Sequence, residues 1–426
     1  MRIRRSRSGD TPHGSTSVPY VAHQAVSQDA LREVAETLAR IERPACSPGE
    51  WEAALWLEQR LKSAGCHEVA LEEEPSWGPW PPTVTALGAL GAIAGRLVLR
   101  GRRGAGALAA VGALAGLIDE IQNGPRWLRR AVRRRRVTVN VVARAGDPNA
   151  ENTLVVLAHH DAAQTGMIFD QRLARAAYER APSLVQRQKD PPPVWWPVVG
   201  GPLLALAGAA TGRRALARAG FALSLASTAF LSDILRSPTV PGANDNLSGV
   251  AGLVGLAELL AAQPISGLRV LLVSCGAEET LQDGIRAFTA RHRDELPVER
   301  TWFLNLDTIG SPHLVMLEGE GPVWMEEYAD PSFRELVATC AKRAGIALES
   351  GVRTHASTDG IIASREGYPT ATLISFEPWR LPTNYHLMSD VPESLHYGTI
   401  ADAVRVAHAV GVSLARPERP APGRGE

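Results

Sequence analysis

Residues 154–161 read LVVLAHHD, an unbroken apolar run that ends in two histidines and an aspartate. Such a run is typical of a strand that is buried on both faces of a parallel sheet. Further strand-like runs occupy 137–143, 268–274, 302–306 and 370–376, and helical patterns alternate with them. This alternation predicts an α/β fold in which a mostly parallel sheet carries helices on both faces.

The length of 426 residues suits one large domain with insertions, and 45% hydrophobic residues can bury a sizeable core. The formal net charge of zero predicts no nucleic-acid partner. The four cysteines are scattered, which favours buried, reduced thiols over a disulfide framework. Residues 1–27 carry no apolar run that would form a signal peptide, so we predict a disordered leader there and a disordered tail at 416–426.

The N-terminal part of the predicted domain, residues 28–65, has apolar residues at helical spacing, interrupted at Pro44. Ser27 is a suitable cap for the first helix, and Ser47 followed by Pro48 is a typical start for the second. Gly65 ends the pattern. The sequence therefore predicts a pair of helices before the first strand.

Two stretches, residues 83–118 and 194–231, do not follow the alternation of strands and helices. Each holds two apolar segments joined by an arginine-rich turn. Each is predicted to be a helical hairpin inserted into the domain. The segments have roughly 12–17 residues, against about 20 for a helix that spans a bilayer. Inserts that pack on each other or on a dimer partner remain one reading. The lack of Asp and Glu inside the segments, and the pair Trp195–Trp196 at one end, favour contact with a membrane.

The basic run between Arg126 and Arg136 lies on the domain side of the first hairpin. Positive charge marks the cytoplasmic side of membrane proteins, so a membrane-associated chain with a cytoplasmic catalytic domain is predicted, and a soluble cytoplasmic protein is the alternative. The sequence does not indicate the oligomeric state.

Five short patches carry side chains that bind metals, and three of the patches directly follow a predicted buried strand. Parallel strands place their carboxyl ends at one edge of the sheet, where open α/β sheets bind ligands. The patches are AHHDAAQTG at His159, PGANDNLSG at Asp245, SCGAEETLQDG at Glu278 and Glu279, FLNLDTIG at Asp307 and TNYHLMSD at His386.

The order of these residues gives each of two cations one histidine and one terminal carboxylate, with Asp245 shared between the cations. Imidazole and carboxylate ligands without thiolate suit zinc, and cobalt or manganese could substitute. Of Glu278 and Glu279, one can bind metal while the other acts as general base on a bridging water. Asp161 can orient the imidazole of His159, whereas His160 points the other way by strand alternation.

The five patches resemble those of metallopeptidase family 28, the co-catalytic zinc aminopeptidases. The likeness covers about residues 28–75, 136–165 and 239–415 and leaves out both hairpins. It implies a three-layer α/β/α sandwich with a mixed sheet over 28–415, two zinc ions, and hydrolysis of N-terminal peptide bonds in a peptide or an aminoacyl amide.

The resemblance also assigns roles. His159, Asp245, Glu279, Asp307 and His386 would be zinc ligands, with Asp245 bridging. Glu278 would be the general base, Tyr385 would steady the tetrahedral intermediate, and Asp161 and Asp390 would support the ligands from behind.

Two stretches depart from the family pattern, namely 280–284 (TLQDG) and 357–360 (STDG), which affects the substrate pocket but removes no ligand. Two other functions stay open. One is a single-zinc acyl-transfer enzyme similar to glutaminyl cyclase, and the other is an inactive, membrane-anchored scaffold with this fold.

Overall fold

The computed structural model describes residues 26–190 and 194–415. The predicted disordered tail and nearly all of the predicted disordered leader lie outside these residues. No domain boundary is tested by the structure alone, so the predicted domain of 28–415, interrupted at 83–118 and 194–231, remains a prediction.

A single mixed sheet organises the described residues, in the order β1-β2-β4-β3-β5-β9-β6-β7, with β8 paired to β6. Its nine strands are β1 (Glu68–Ser76), β2 (Arg136–Gly146), β3 (Thr153–His159), β4 (Arg269–Cys275), β5 (Thr301–Leu306), β6 (His313–Glu320), β7 (Glu326–Glu327), β8 (Glu349–Thr354) and β9 (Thr370–Phe376).

The four central strands β4, β3, β5 and β9 run parallel to one another. Antiparallel pairs flank them, with β2 and β1 on one side and β6 on the other. The strand predicted from LVVLA is β3, and it lies at the centre of the parallel group. The carboxyl ends of β3, β4 and β5 therefore lie at the same edge of the sheet.

Helices cover both faces of the sheet. They are α1 (Gln28–Leu38), α2 (Pro48–Ser63), α3 (Pro81–Leu99), α4 (Arg103–Ile121), α5 (Trp127–Val132), α6 (Arg172–Arg180), α7 (Pro182–Gln186), α8 (Trp196–Thr211), α9 (Arg214–Ile234), α10 (Ser248–Ala262), α11 (Asp283–Arg291), α12 (Pro331–Arg343), α13 (Asp359–Arg365) and α14 (Tyr397–Leu414).

Alternate residues of β3 point into two separate apolar cores. Leu154, Val156 and Ala158 pack with α1, α2, α10, α12 and α14 on one face. Val155 and Leu157 pack with α11 and α13 on the other face. Because both sets are fully buried, the strand has no polar side, which explains why its sequence reads as a continuous apolar run. The α/β/α sandwich with a mixed sheet is thus confirmed.

The two N-terminal helices begin where their caps predict. The Ser27 hydroxyl accepts a hydrogen bond from the Ala30 N–H, and the Ser47 hydroxyl accepts one from the Glu50 N–H. Each cap satisfies a backbone donor that the first turn of a helix leaves free. Gly65 follows α2 with a φ of 99°, a conformation that glycine adopts without a steric cost.

Each apolar segment pair forms two antiparallel helices, α3 with α4 and α8 with α9, and the four pack into one bundle. Glycines make the close approaches. A Cβ on Gly95 would lie 2.9 Å from the Phe221 backbone, and one on Gly201 would lie 2.8 Å from the backbone nitrogen of Ser224. Close backbone packing through small residues allows these helices to associate with little side-chain bulk between them.

Four helical stretches among the described residues are long and apolar enough to cross a membrane, judged by length and composition. Three are α3, α4 and α9 of the bundle, with mean hydropathy of 1.5, 1.5 and 1.3. The fourth, 243–262, is 83% buried inside the protein and belongs to the sandwich. The bundle helices α3, α4 and α9 have 19, 19 and 21 residues, longer than the apolar segments predicted from the sequence.

Candidate metal centre

The side chains of the five patches meet at the carboxyl edge of the sheet. His159 is the last residue of β3, Asp307 directly follows β5, and Glu278 and Glu279 come three and four residues after β4. Asp245 lies in the turn before α10, and the Asp245–Asn246 peptide bond is cis. The strand ends thus bring together residues that are far apart in the sequence, as their positions predict.

Asp245 lies between two histidines. Its Oδ1 is 3.2 Å from His159 Nε2, and its Oδ2 is 2.9 Å from His386 Nε2. Two groups of ligand-type atoms result, in each of which all atoms lie within 4.8 Å of one another: His159, Asp245 and Asp307, and Asp245, Glu279 and His386. Asp245 is common to both groups, which is the arrangement expected of a carboxylate that bridges two cations.

Two buried aspartates hold the backbone around these side chains. The Asp161 carboxylate accepts hydrogen bonds from the N–H groups of Glu278 (3.1 Å) and Glu279 (3.0 Å). Its Oδ1 also lies 3.3 Å from His159 Nδ1. Asp161 thus links the histidine after β3 to the acid pair after β4.

Asp390 holds the backbone around Asp245 in the same way. Its Oδ1 accepts from the Asn244 N–H at 2.7 Å, and its Oδ2 accepts from the Asp245 N–H at 3.1 Å. Both supporting carboxylates are fully buried. Since each binds two successive backbone N–H groups, each fixes the direction of the neighbouring side chains.

The buried carboxylates of the site favour the binding of a positive charge. Burial raises the pKa of Asp307 to about 7. Burial also raises the pKa of Glu279, against the opposing effect of the neighbouring His386. For His386 itself, burial favours the neutral ring, but Glu279 and Asp245 overcome it and raise its pKa to about 10. The buried carboxylates are thus balanced in part by protonated imidazoles and by the buried guanidinium of Arg43, and a bound cation would supply further positive charge.

The donor set fits a divalent cation of zinc type. Glu279 Oε1 is buried without a hydrogen-bond partner among the described residues, and it lies 3.4 Å from His386 Nε2. No thiol belongs to either ligand group. Unsatisfied buried oxygen atoms beside imidazole nitrogens are expected where a metal completes the site, because burial without a partner is costly.

Glu278 is held apart from the two ligand groups. One of its oxygens, Oε1, accepts a hydrogen bond of 2.6 Å from Gln282 Nε2, and the other, Oε2, lies 3.9 Å from His159 Nε2. Burial raises the pKa of Glu278 well above its usual value. A buried carboxyl group with a raised pKa, close to the ligand groups without belonging to them, is suited to proton transfer.

Aromatic rings cover His386. The Tyr385 ring stacks on the His386 ring with centroids 4.0 Å apart, and Phe169 meets the same imidazole edge-on at 4.4 Å. Among the described residues the Tyr385 hydroxyl has no hydrogen-bonding partner, so it is available to a ligand. His160 points away from the site, and its Nδ1 lies 2.9 Å from the Ser274 hydroxyl.

Sequence reasoning missed Phe169 and Gln282. Phe169 lies in the segment before the second hairpin, and no pattern in the sequence connects it with His386. Gln282 follows Glu278 by four residues in TLQDG, a stretch that differs from the family pattern and therefore gave no role to its residues. Each of the residues predicted for the site does lie in or beside it.

The chain is similar to known proteins in sequence over part of its length and in fold over nearly all of it. The sequence model of peptidase family M28 matches residues 228–411. This segment includes every predicted site residue except His159 and Asp161. No curated protein sequence matches the chain significantly.

Solved structures share the fold across nearly the whole chain. An aminopeptidase from Aneurinibacillus sp. strain AM-1 is 14% identical with a TM-score of 0.53, over 95% of this chain and 99% of that one. A leucine aminopeptidase precursor from Bacteroides thetaiotaomicron is 14% identical with a TM-score of 0.53, over 93% and 99%.

A glutaminyl cyclase from Bacteroides thetaiotaomicron is similar to the same degree, with 14% identity and a TM-score of 0.53 over 91% of this chain and 98% of that one. At such identities the likeness establishes the fold. The chain thus resembles peptidase family M28 in sequence over residues 228–411, and the fold and the side chains gathered at the sheet edge agree with this resemblance.

Proposed function

We propose that the protein is a zinc-dependent exopeptidase of aminopeptidase type that binds two zinc ions. The observation that carries the proposal is Asp245, whose two oxygens face the imidazoles of two separate ligand groups. His159, Asp245 and Asp307 would hold one ion, and Asp245, Glu279 and His386 the other. Bound in this way, the pair would supply Lewis acidity and lower the pKa of a water molecule.

The residues of the chain then have separate tasks. Glu278 Oε2, the oxygen left free by Gln282, would take a proton from the attacking water and pass it to the departing amine. The Tyr385 hydroxyl would donate a hydrogen bond to the oxyanion of the tetrahedral intermediate. Asp161 and Asp390 would keep the acid pair and the bridging carboxylate in place through the backbone N–H groups that they bind.

The proposed substrate is a peptide or aminoacyl amide with a free N-terminus. It follows from the family and from solved structures described as aminopeptidases. A glutaminyl cyclase-like acyl transfer is the second candidate, because glutaminyl cyclases also share the fold. Two complete ligand groups favour the two-metal hydrolase, since the single-zinc enzyme would leave one group without a role.

We further propose that the helical bundle associates with a membrane. Large apolar side chains are exposed on its outer surface: Leu108 is 76% exposed, Ile93 53% and Leu225 52%. Exposed apolar patches of this kind mark interaction surfaces. The exposed arginines 130 and 134–136 lie beyond the end of α4 on the sandwich side, which favours a cytoplasmic catalytic domain.

The proposal on catalysis is tested by metal content and turnover together. Purified wild type, Glu278→Gln and the exposed control Glu299→Gln are assayed for bound zinc and for hydrolysis of a panel of aminoacyl amides and N-terminal glutaminyl peptides. We expect two zinc ions in all three proteins, with loss of turnover only in Glu278→Gln. One zinc ion with release of cyclised glutaminyl peptide would instead support the acyl-transfer enzyme, and no metal with no turnover would refute both.

Membrane association is tested by extraction of the membrane fraction at high pH, followed by protease treatment of intact cells. We expect the protein to stay in the membrane pellet and the catalytic domain to be protected. Release of the protein by alkaline extraction would refute insertion. Digestion of the catalytic domain from outside the cells would refute the cytoplasmic orientation.

A further inference from the structure

The loop after the acid pair packs against the helical bundle rather than against the sandwich alone. Leu281, three residues after Glu278, belongs to the apolar core of the bundle together with Leu117 and Ile121 of α4. Leu281 and Gln282 both have positive φ values, 70° and 63°. These conformations turn one side chain toward the bundle and leave its neighbour facing the metal centre.

Buried arginines from the segment between α4 and β2 fix the backbone of this loop. Arg126 Nη1 donates to the carbonyl oxygens of Thr280 (3.1 Å) and Leu281 (2.9 Å). Arg129 Nη1 donates to the Thr280 carbonyl oxygen at 2.5 Å. Both arginines are at most 2% exposed. The loop carbonyls therefore have charged partners that cannot be replaced by water without opening the interface.

The side-chain amide nitrogen of Gln282 donates two hydrogen bonds. Its Nε2 donates to Glu278 Oε1 at 2.6 Å and to the Ser357 carbonyl oxygen at 3.1 Å. The Ser357 hydroxyl accepts a hydrogen bond from Asn123 Nδ2, on the segment that follows α4. Gln282 is 1% exposed. Its amide group thus joins Glu278 to a residue that is itself held by the end of the bundle.

We propose that Gln282 is a positioning residue for the Glu278 carboxylate. By occupying Oε1 it stops rotation of the carboxylate group and keeps Oε2 on the side of His159, 3.9 Å from its Nε2. Asp161 fixes the Glu278 backbone, and Gln282 fixes the far end of the side chain. Since a proton acceptor must hold one geometry to act efficiently, this contact matters for turnover. The proposal rests on the proposed role of Glu278.

The test replaces Gln282 by Met, which keeps much of the shape and removes the donor. The matched control is Gln122→Met. Gln122 is also buried at the end of the bundle, but its side chain bonds to Val323, Trp324 and Glu326, away from Glu278. Metal content, kcat and KM are measured for both variants and wild type, and crystal structures of wild type and Gln282→Met are compared at Glu278.

We expect Gln282→Met to lower kcat by about 10- to 100-fold, as is common for partners of catalytic groups, with metal content unchanged. KM should change by less than about threefold, because only a contact used during turnover is lost. Gln122→Met should keep the kcat of wild type. In the crystal structure of Gln282→Met, the Glu278 carboxylate should be rotated or present in two positions.

An unchanged kcat in Gln282→Met, or an equal loss in Gln122→Met, would overturn the proposal. If Gln282→Met does not fold, Gln282→Asn keeps a buried amide but shortens the side chain by one methylene, so that the amide no longer reaches Glu278 Oε1, and it should lower kcat in the same way. Should wild type hydrolyse no substrate, the proposed function fails, but the crystallographic comparison still decides the positioning role. An unmoved Glu278 would refute it.

Discussion

Arg126, which follows α4, and Asp283, the first residue of α11, form a buried ion pair where the bundle meets the sandwich. Each side chain is 2% exposed, and Arg126 Nη2 lies 2.7 Å from Asp283 Oδ1. The contact is a close ion pair rather than an aligned hydrogen bond, since Nη2 has no hydrogen-bond partner. Replacing Arg126 by Met would leave the Asp283 carboxylate buried without its cation. Breaking such a pair from one side costs about 3–5 kcal/mol.

Other contacts of the two side chains decide where in that range the loss of stability lies. Arg126 also donates to the Thr280 and Leu281 carbonyl oxygens, which would lose these bonds. In partial compensation, Asp283 Oδ2 keeps the hydroxyl groups of Ser76 (2.7 Å) and Thr280 (2.9 Å) as donors. We therefore expect Arg126→Met to destabilise the protein by about 4 kcal/mol, within the interval measured for broken buried pairs.

Thermal unfolding measures the effect. At about 2 °C for each kcal/mol in a domain of this size, Arg126→Met should lower Tm by about 8 °C. The matched control is Arg293→Met, which breaks an exposed pair with Glu366, where the two side chains are 65% and 38% exposed. Exposed pairs contribute about 0–1 kcal/mol, so its Tm should fall by no more than about 2 °C.

A double variant separates the ion pair from simple loss of packing. Arg126→Met combined with Asp283→Asn removes both charges, and it should be more stable than the sum of the two single changes predicts, by about 1–3 kcal/mol. Equal Tm values for Arg126→Met and Arg293→Met, or strict additivity in the double variant, would refute the reasoning.

Three other predictions concern the site and its surroundings. Removal of both metal ions by a chelator should lower Tm by about 11 °C, reversed by zinc, because each ion at 100 times its Kd contributes about 2.7 kcal/mol and Asp307 then lies uncompensated among acids. Tyr385→Phe should keep the stacking on His386 and lower kcat by about tenfold or more, measured at saturating aminoacyl amide. Burial raises the pKa of Glu320 to about 8, so its folded state favours the protonated form. The contribution of Glu320 to the free energy of unfolding is present in full below about pH 4.5 and is lost as the pH rises toward 8. Over that interval the free energy of unfolding of Glu320→Gln should therefore increase relative to that of wild type, by at most about 5 kcal/mol.

The strands that the sequence predicts are those buried on both faces or shielded by helices. Val155 and Leu157 face one core while Leu154 and Val156 face the other, so the segment must be apolar throughout and is easy to recognise. By contrast β8, Glu349–Thr354, is short, half-exposed and polar, and its pairing with β6 has shifts in register. No local pattern distinguishes it from a loop, and only its partner strand makes it a strand.

The meeting of the proposed metal ligands can be predicted from the sequence for a topological reason. His159, Asp307 and the acid pair come directly after strands, and parallel strands end at the same edge of a sheet, so the order of the patches predicts their meeting. Phe169 has no such marker. It reaches His386 because the segment before the second hairpin crosses the site, and the path of a connecting segment is decided by tertiary packing rather than by its own residues.

The contacts between the helical bundle and the sandwich argue against the two hairpins being a detached membrane anchor. A detached membrane anchor would be joined to the sandwich by exposed, polar chain with few contacts. Here Asn123, Arg126 and Arg129 are buried where α4 ends, and all three bond to residues of the sandwich. Leu281 in turn extends from the catalytic loop into the apolar core of the bundle. The bundle and the loop that follows Glu278 therefore pack against each other through buried contacts, which a detached anchor would lack.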